Sequence, residues 1–287
     1  MNLSGKVAVV TGGGRGLGLA YVQALADAGA AVVINDTDRS AADAAAAMVT
    51  AAGGQAVAHV AAVGTSAVAD ALIDRAVSEF GRLDILVTNA GILRDTVLWK
   101  MTDEQFDLVL DVHVRGTFTC VRAAAIRFRE QGDGGRIICI GSPTGQVGNF
   151  GQTNYATAKA AIVGLTLTAS LELYKYGITV NAVGPGGMTR LTATAAAGDA
   201  FEPDSLDADE YHPMDPAGSS PLVAWLASDE AQHVTGQVIR AIHDKIYLMG
   251  GWHEKATISN GGKRWDATTL GARLATDIFH TRAPGLR

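Results

Sequence analysis

The chain has 287 residues, is 48% hydrophobic and carries a net charge of −6. A chain this long buries roughly three quarters of its unfolded surface, so its core needs neither a disulfide nor a metal. The acidic balance argues against nucleic acid, whose phosphates demand clustered Lys and Arg. No apolar run reaches the roughly 18 residues of a membrane span. The N-terminal MNLSGKVAVVTGGG lacks the basic region and apolar core of a secretory signal, so a cytoplasmic location is the expectation. The two cysteines, Cys120 and Cys139, lie in apolar stretches and read as buried, reduced thiols.

Short β-branched runs alternate with Ala-rich stretches of helical character. Strands are predicted at Val7–Thr11, Ala31–Asp36, Gln55–Val60, Asp84–Thr88, Arg136–Gly141, Ile178–Val183 and Gln237–Ile242. Helices are predicted at Gly18–Ala28, Ser40–Ala52, Ala67–Phe80, Asp103 to about Arg129, Asn154–Tyr174 and Pro221–Ala227. The strand runs are aliphatic without strict alternation, which implies burial on both faces and hence a parallel sheet. Repeated strand–helix–strand units with right-handed crossovers make it doubly wound. No linker or internal repeat divides the chain, so one domain is expected over residues 1–287. Two segments stand outside the alternation: an acidic stretch at about 188–220, and a tail after Gly250 that carries Trp252, Lys263, Arg264 and Trp265. A connection as long as the first is a functional loop, a disordered one or a solvated insertion.

The turn between the first strand and first helix reads Thr11-Gly12-Gly13-Gly14-Arg15-Gly16-Leu17-Gly18. Glycine lets a backbone approach a ligand closely, and a helix N-terminus offers free N–H groups to a pyrophosphate. A Gly-rich turn alone is weak evidence, but here it lies in the first strand–helix–strand unit, the context of a dinucleotide site. Asp36 ends the second strand, where a carboxylate accepts from the adenosine ribose hydroxyls and repels a 2′-phosphate. That favours NAD over NADP. Arg15 pulls the other way, since a cation in this loop would suit the phosphate.

Tyr155 and Lys159 are four residues apart in Asn154-Tyr155-Ala156-Thr157-Ala158-Lys159, so they share one helix face. A phenol is a poor base near neutrality. An adjacent ammonium favours the phenolate and is expected to lower its pKa. Ser142 stands at the carboxyl end of a predicted strand, where parallel sheets bind ligands.

Together TGGGRGLG, Asn89-Ala90-Gly91, Ser142 and Tyr155-x-x-x-Lys159 resemble the short-chain dehydrogenase/reductase family over about residues 4–250. The resemblance implies a Rossmann-like, three-layer α/β/α fold with a seven-stranded sheet in the order 3-2-1-4-5-6-7. It implies nicotinamide chemistry in which Tyr155 moves the proton, Lys159 holds the nicotinamide ribose and tunes Tyr155, and Ser142 orients the substrate oxygen. Asn89, Ala90 and Gly91 would border the adenosine ribose, and Pro185 with Thr189 would touch the carboxamide. Two positions depart from the family: Ala62-Val63 stands where Asp-Val is usual, leaving Val63 without a polar neighbour for adenine, and His113 replaces the usual Asn of the catalytic tetrad.

His113, in VLDVHVRGTF, reads alone as a core histidine, and no ligands at useful spacing make it a metal site. The resemblance places it behind Lys159, where a neutral imidazole can donate and accept as an amide does. A His here, the GNFGQTNY run and the Gly250-Gly251-Trp252…Arg264-Trp265 tail are similar to the dehydrogenase domains of multifunctional β-oxidation enzymes. Those domains act on 3-hydroxyacyl-CoA, and relatives act on steroids. The acidic 199–215 stretch would oppose CoA phosphates if it lay at the cleft mouth. Three readings follow: an NAD-dependent dehydrogenase of such alcohols, an NADPH-dependent 3-oxoacyl-carrier reductase, and a non-catalytic NAD-binding protein. A homodimer or homotetramer is implied by family likeness.

Overall fold

The β-branched runs fold into strands β1 (Val7–Thr11), β2 (Ala31–Asp36), β3 (Ala56–Val60), β4 (Ile85–Thr88), β5 (Gly135–Ile140), β6 (Ile178–Pro185), β7 (Val238–Ile242) and β8 (Lys245–Met249). The computed structural model describes residues 1–186, 215–242, 244–250, 254 and 256–278. The strands form one sheet in the order β3-β2-β1-β4-β5-β6-β7-β8. All neighbours are parallel except β7 and β8.

The covering helices are α1 (Gly16–Asp27), α2 (Arg39–Ala51), α3 (Ser66–Phe80), α4 (Asp103–Leu110), α5 (Gly116–Gln131), α6 (Thr144–Val147), α7 (Thr153–Leu173) and α8 (Ser220–Ala227), with α9 (Ala267–Asp277) in the tail. Successive strand residues point to opposite faces, which divides the core in two. Ala8, Val10, Ile34 and Ile138 pack with Val22 and Leu25 of α1 and Leu226 of α8. Val7, Val9, Val33 and Ile137 pack with Leu72 of α3, Phe128 of α5 and Ile162 of α7. This is the doubly wound, three-layer arrangement. Cys120 and Cys139 are both buried and free.

Three expectations change. The sheet has eight strands rather than seven: Lys245–Met249 turns back antiparallel on β7 through Ile242↔Lys245, a hairpin return that the reading of the strand as ending at Ile242 left out. The long helix expected from Asp103 is broken into α4 and α5 by a π-helical segment, Asp111–Arg115. Such a segment fits one extra residue into a turn, so the axis shifts and a side chain is re-aimed. Here that side chain is His113. Finally, Thr153–Tyr176 is long and apolar enough by length and composition to cross a membrane, at a mean hydropathy of 1.2. It is instead the helix that covers β5 and β6, with Ile162 and Lys159 turned inward.

Candidate active site

The glycine loop is held open by close packing. Gly12 adopts φ +62°, a left-handed conformation that other residues rarely take. A Cβ on Gly18 would lie 1.9 Å from the Gly12 carbonyl oxygen, so the start of α1 can approach the turn only as glycine. Arg15 precedes α1, and no side chain caps that helix. Uncapped first-turn N–H groups at a close-packed turn fit a pyrophosphate.

Thr11, buried at the end of β1, accepts from the Asn89 and Ala90 amides at 3.0 and 3.1 Å. The Asn89 side chain donates back to Thr11 O and Gly12 O at 3.1 and 2.9 Å. Asn89, Ala90 and the loop of Gly12, Gly16, Leu17 and Gly18 are therefore one unit, and Thr11 is a member that the motif reading passed over. Asp36 ends β2 with its carboxylate accepting from the Gly14 and Asp38 amides, both at 3.1 Å. Arg15 is paired with Asp38. The Ser40 hydroxyl, the Ala41 amide and this guanidinium hold Asp38 down to about 2. Asp38 also caps α2 through Ala41, a second role invisible in the linear motif. Val63 packs where a Cβ on Gly116 would come within 2.8 Å of it, at the start of α5. Pro185 ends β6 beside Ala241. Thr189, Trp252 and residues 199–214 of the acidic stretch lie outside the described residues.

The second cluster forms where β5 ends. Ser142 follows β5 and accepts from Thr144 N at 3.2 Å, and its hydroxyl is near enough to favour the Tyr155 phenolate. Lys159 is buried one turn beyond Tyr155, its Nζ 5.6 Å from the ring centroid. That ammonium donates to Ile140 O at 2.6 Å, and burial lowers its pKa to about 8. Tyr155 does not move in the expected direction. Burial pushes its pKa above the ordinary value, the Ser142 hydroxyl pulls it back, and the Asp95 carboxylate adds to the rise. Desolvation disfavours the phenolate more than the neighbouring groups favour it.

His113 completes the corner. Its ring meets the Tyr155 ring edge-on, centroids 5.3 Å apart. Nε2 lies 2.9 Å from Ile92 O and 3.1 Å from Ile92 N, so either tautomer finds a partner. A Cβ on Gly91 would meet the ring at 2.4 Å, which explains a glycine there. Burial, with the Lys159 charge, pushes the imidazole down to about 3, and the ring is neutral. His113 thus ties the π segment to the loop after β4.

A doubly wound sheet with a glycine cradle at one strand end and a Ser–Tyr–Lys cluster at another defines a dinucleotide-dependent oxidoreductase. The family model for short chain dehydrogenase matches residues 6–201, and the chain belongs to that family. Its members use a nicotinamide cofactor and act on CH–OH groups. The chain is 40% identical to the hydroxyacyl-CoA dehydrogenase ChsB1 of Mycobacterium tuberculosis, over 99% of this chain and 91% of that protein. It is 37% identical to the peroxisomal multifunctional enzyme type 2 of Mus musculus, over 95% of this chain and 34% of that protein. A short chain dehydrogenase from Mycobacterium avium superposes with a TM-score of 0.86 at 37% identity, covering 99% of this chain and 98% of that one.

Proposed function

We propose that the protein is an NAD(H)-dependent dehydrogenase that interconverts a secondary alcohol and a ketone, with 3-hydroxyacyl thioesters as the favoured substrate class. The observation that carries the reaction is the Ser142–Tyr155–Lys159 cluster at the carboxyl end of β5. The substrate class rests on the likeness to ChsB1 and to the mouse peroxisomal enzyme. The preference for NAD rests on Asp36 and on Arg15, which Asp38 engages and so keeps from a 2′-phosphate. A 3-oxoacyl-carrier reductase using NADPH would need that cation free.

When bound, the nicotinamide exchanges a hydride with the substrate carbon. The glycine loop from Gly12 to Gly18 would hold the pyrophosphate, with Asp36 and Asn89 toward the adenosine ribose, Val63 by adenine, Lys159 toward the nicotinamide ribose, and Pro185 with Thr189 toward the carboxamide. In the oxidising direction Tyr155, as its phenolate, takes the hydroxyl proton, and in the reducing direction the phenol returns a proton to the carbonyl oxygen. Ser142 orients that oxygen by hydrogen bonding. Lys159 sets the charge beneath the Tyr155 ring. His113 positions Tyr155 and the loop of Gly91, standing in for an amide.

The test is NADH production across matched panels of 3-hydroxyacyl-CoAs, hydroxysteroids and simple secondary alcohols, with wild type and Tyr155→Phe. Loss of general acid–base catalysis is worth about 10²–10⁴-fold, so Tyr155→Phe is expected to lose at least a hundredfold in kcat while still binding NAD. Full turnover by that variant would reject the mechanism, and binding of NAD without turnover of any panel member would make this a cofactor-binding protein.

A further inference from the structure

Two loops meet at the entrance to Tyr155, and side chains lace them together. The Thr96 amide donates to Gly151 O at 2.8 Å, in a short parallel bridge between Thr96 and Gln152. Asn154, fully buried, donates to Arg94 O at 3.0 Å and to Gln105 O at 3.3 Å. Its carbonyl oxygen accepts from the Tyr155 amide at 2.8 Å. The buried Gln152 side chain is pinned at both ends: its oxygen accepts from Asn149 Nδ2 at 2.9 Å, and its nitrogen donates to Asp95 Oδ2 at 2.7 Å.

That pinning fixes a charge. A lace needed only for closure could end in any neutral acceptor, yet here it ends in a carboxylate. With the Gln152 carbonyl committed to Asn149, its amide nitrogen must face Asp95. Gln152 stands at the N-cap of the helix that carries Tyr155, and the Asp95 charge it holds lies near enough to act on the Tyr155 phenol. Two cations in this corner bond main-chain oxygens. The Lys159 ammonium is drawn to Ile140 O, and the Arg94 guanidinium folds back on Leu93 O at 2.6 Å. His113 is neutral.

We propose that Asp95, clamped by Gln152, is a specificity-determining residue. Its fixed negative charge turns away substrates that bear an anionic group beside the reacting carbon and admits those in which that group is masked as a thioester, ester or amide. The proposal rests on the dehydrogenase reading of Tyr155. It gives a physical reason for selecting a thioester over the free 3-hydroxy acid that does not depend on recognising the rest of the carrier.

The experiment compares racemic 3-hydroxyhexanoate with its N-acetylcysteamine thioester, which is neutral and lacks the phosphates of CoA. Both are assayed with NAD in wild type and in Asp95→Asn, which keeps an oxygen acceptor for Gln152. Wild type is expected to favour the thioester in kcat/KM. A like charge several ångströms away at a part-solvated mouth is worth roughly tenfold, so Asp95→Asn should shrink the ratio by about that factor. The shrinkage should come from a larger gain on the acid than on the thioester, since any change at the Tyr155 phenol acts on both substrates alike. In wild type alone, raising ionic strength from about 0.05 M to about 0.5 M should also shrink the ratio, because exposed charges are screened. That arm stands if the variant fails to fold. A ratio unchanged by both the substitution and salt overturns the proposal and leaves the dehydrogenase standing. Failure of wild type to oxidise either compound, or any alcohol of the wider panels, overturns both.

Discussion

The nucleotide end and the catalytic corner are built on the same parallel sheet from opposite materials. At the nucleotide end the work falls to backbone: uncapped N–H groups, a turn that only glycine can make, and carboxylates seated on main-chain amides at the solvent edge. Arg15 and Asp38 are half-exposed there, and Asp36 takes its bonds from main-chain amides. The catalytic corner is built from ionisable side chains removed from water. His113, Tyr155 and Lys159 are each displaced in pKa with burial as the leading cause. Groups held in their less charged forms make stability depend on pH. The contrast therefore predicts that the catalytic corner, rather than the cofactor cradle, sets much of the protein's response to pH.

The largest expected effect is on the acid side. His113 has a folded pKa near 3 against an ordinary 6.5, so the unfolded state binds the extra proton throughout that window. Stability contributed by the neutral ring is fully present above pH 6.5 and falls as pH drops, at about 1.4 kcal/mol per pH unit. The whole window amounts to on the order of 5 kcal/mol. His113→Asn cannot take up that proton, so its decline should be shallower. Urea unfolding at pH 7 and pH 5 measures this: wild type should lose about 2 kcal/mol more than the variant over that interval. Equal losses would mean that the imidazole is not held neutral, and the contrast between the two ends would weaken.

What could be read before the fold was known follows the same division. The glycine loop, Asp36 and the Tyr155–Lys159 spacing are local patterns, and a residue-by-residue reading finds them because strand, turn and helix set their geometry. The parallel sheet was legible for a similar reason, since strands covered on both faces must be aliphatic throughout. Pairings between residues distant in sequence were not legible. Nothing in VLDVHVRGTF announces a π segment or says that His113 reaches Ile92, and nothing near Arg15 says that Asp38 engages it. Gln152 stands within a family string, while its bond to Asp95 spans 57 positions. The direction of the Tyr155 shift depends on the assembled fold for the same reason. The Lys159 charge is evident from spacing, but the desolvation that outweighs it belongs to the assembled core.

Lys159 gives the next effect, on the alkaline side. Its folded pKa near 8 lies below its ordinary 10.5, so again the unfolded state holds more protons between those values, and stability rises with pH across the window. Below pH 8 the buried ammonium costs on the order of 3 kcal/mol. Lys159→Met fills the same space without the charge and is expected to unfold at higher denaturant than wild type at pH 7, with the advantage fading toward pH 10.5. The same variant should be inactive. A variant less stable at every pH would show that the bond to Ile140 O outweighs desolvation, and the corner would then be a stabilising feature.

The smallest effect sharpens the comparison from the nucleotide end, where a substitution should change selectivity and leave the pH response near neutrality alone. Asp38→Ser keeps an oxygen to cap α2 but removes the charge that engages Arg15. The freed guanidinium can then meet a 2′-phosphate, and one carboxylate that would repel it is gone. The ratio of NADPH to NADH use in kcat/KM should rise roughly tenfold, the worth of one added charge-assisted hydrogen bond. Asp36 remains to oppose the phosphate, so a full reversal is not expected. Steady-state kinetics with both coenzymes decide it. An unchanged ratio would show that Arg15 does not face the ribose, and the preference for NAD would rest on Asp36 alone.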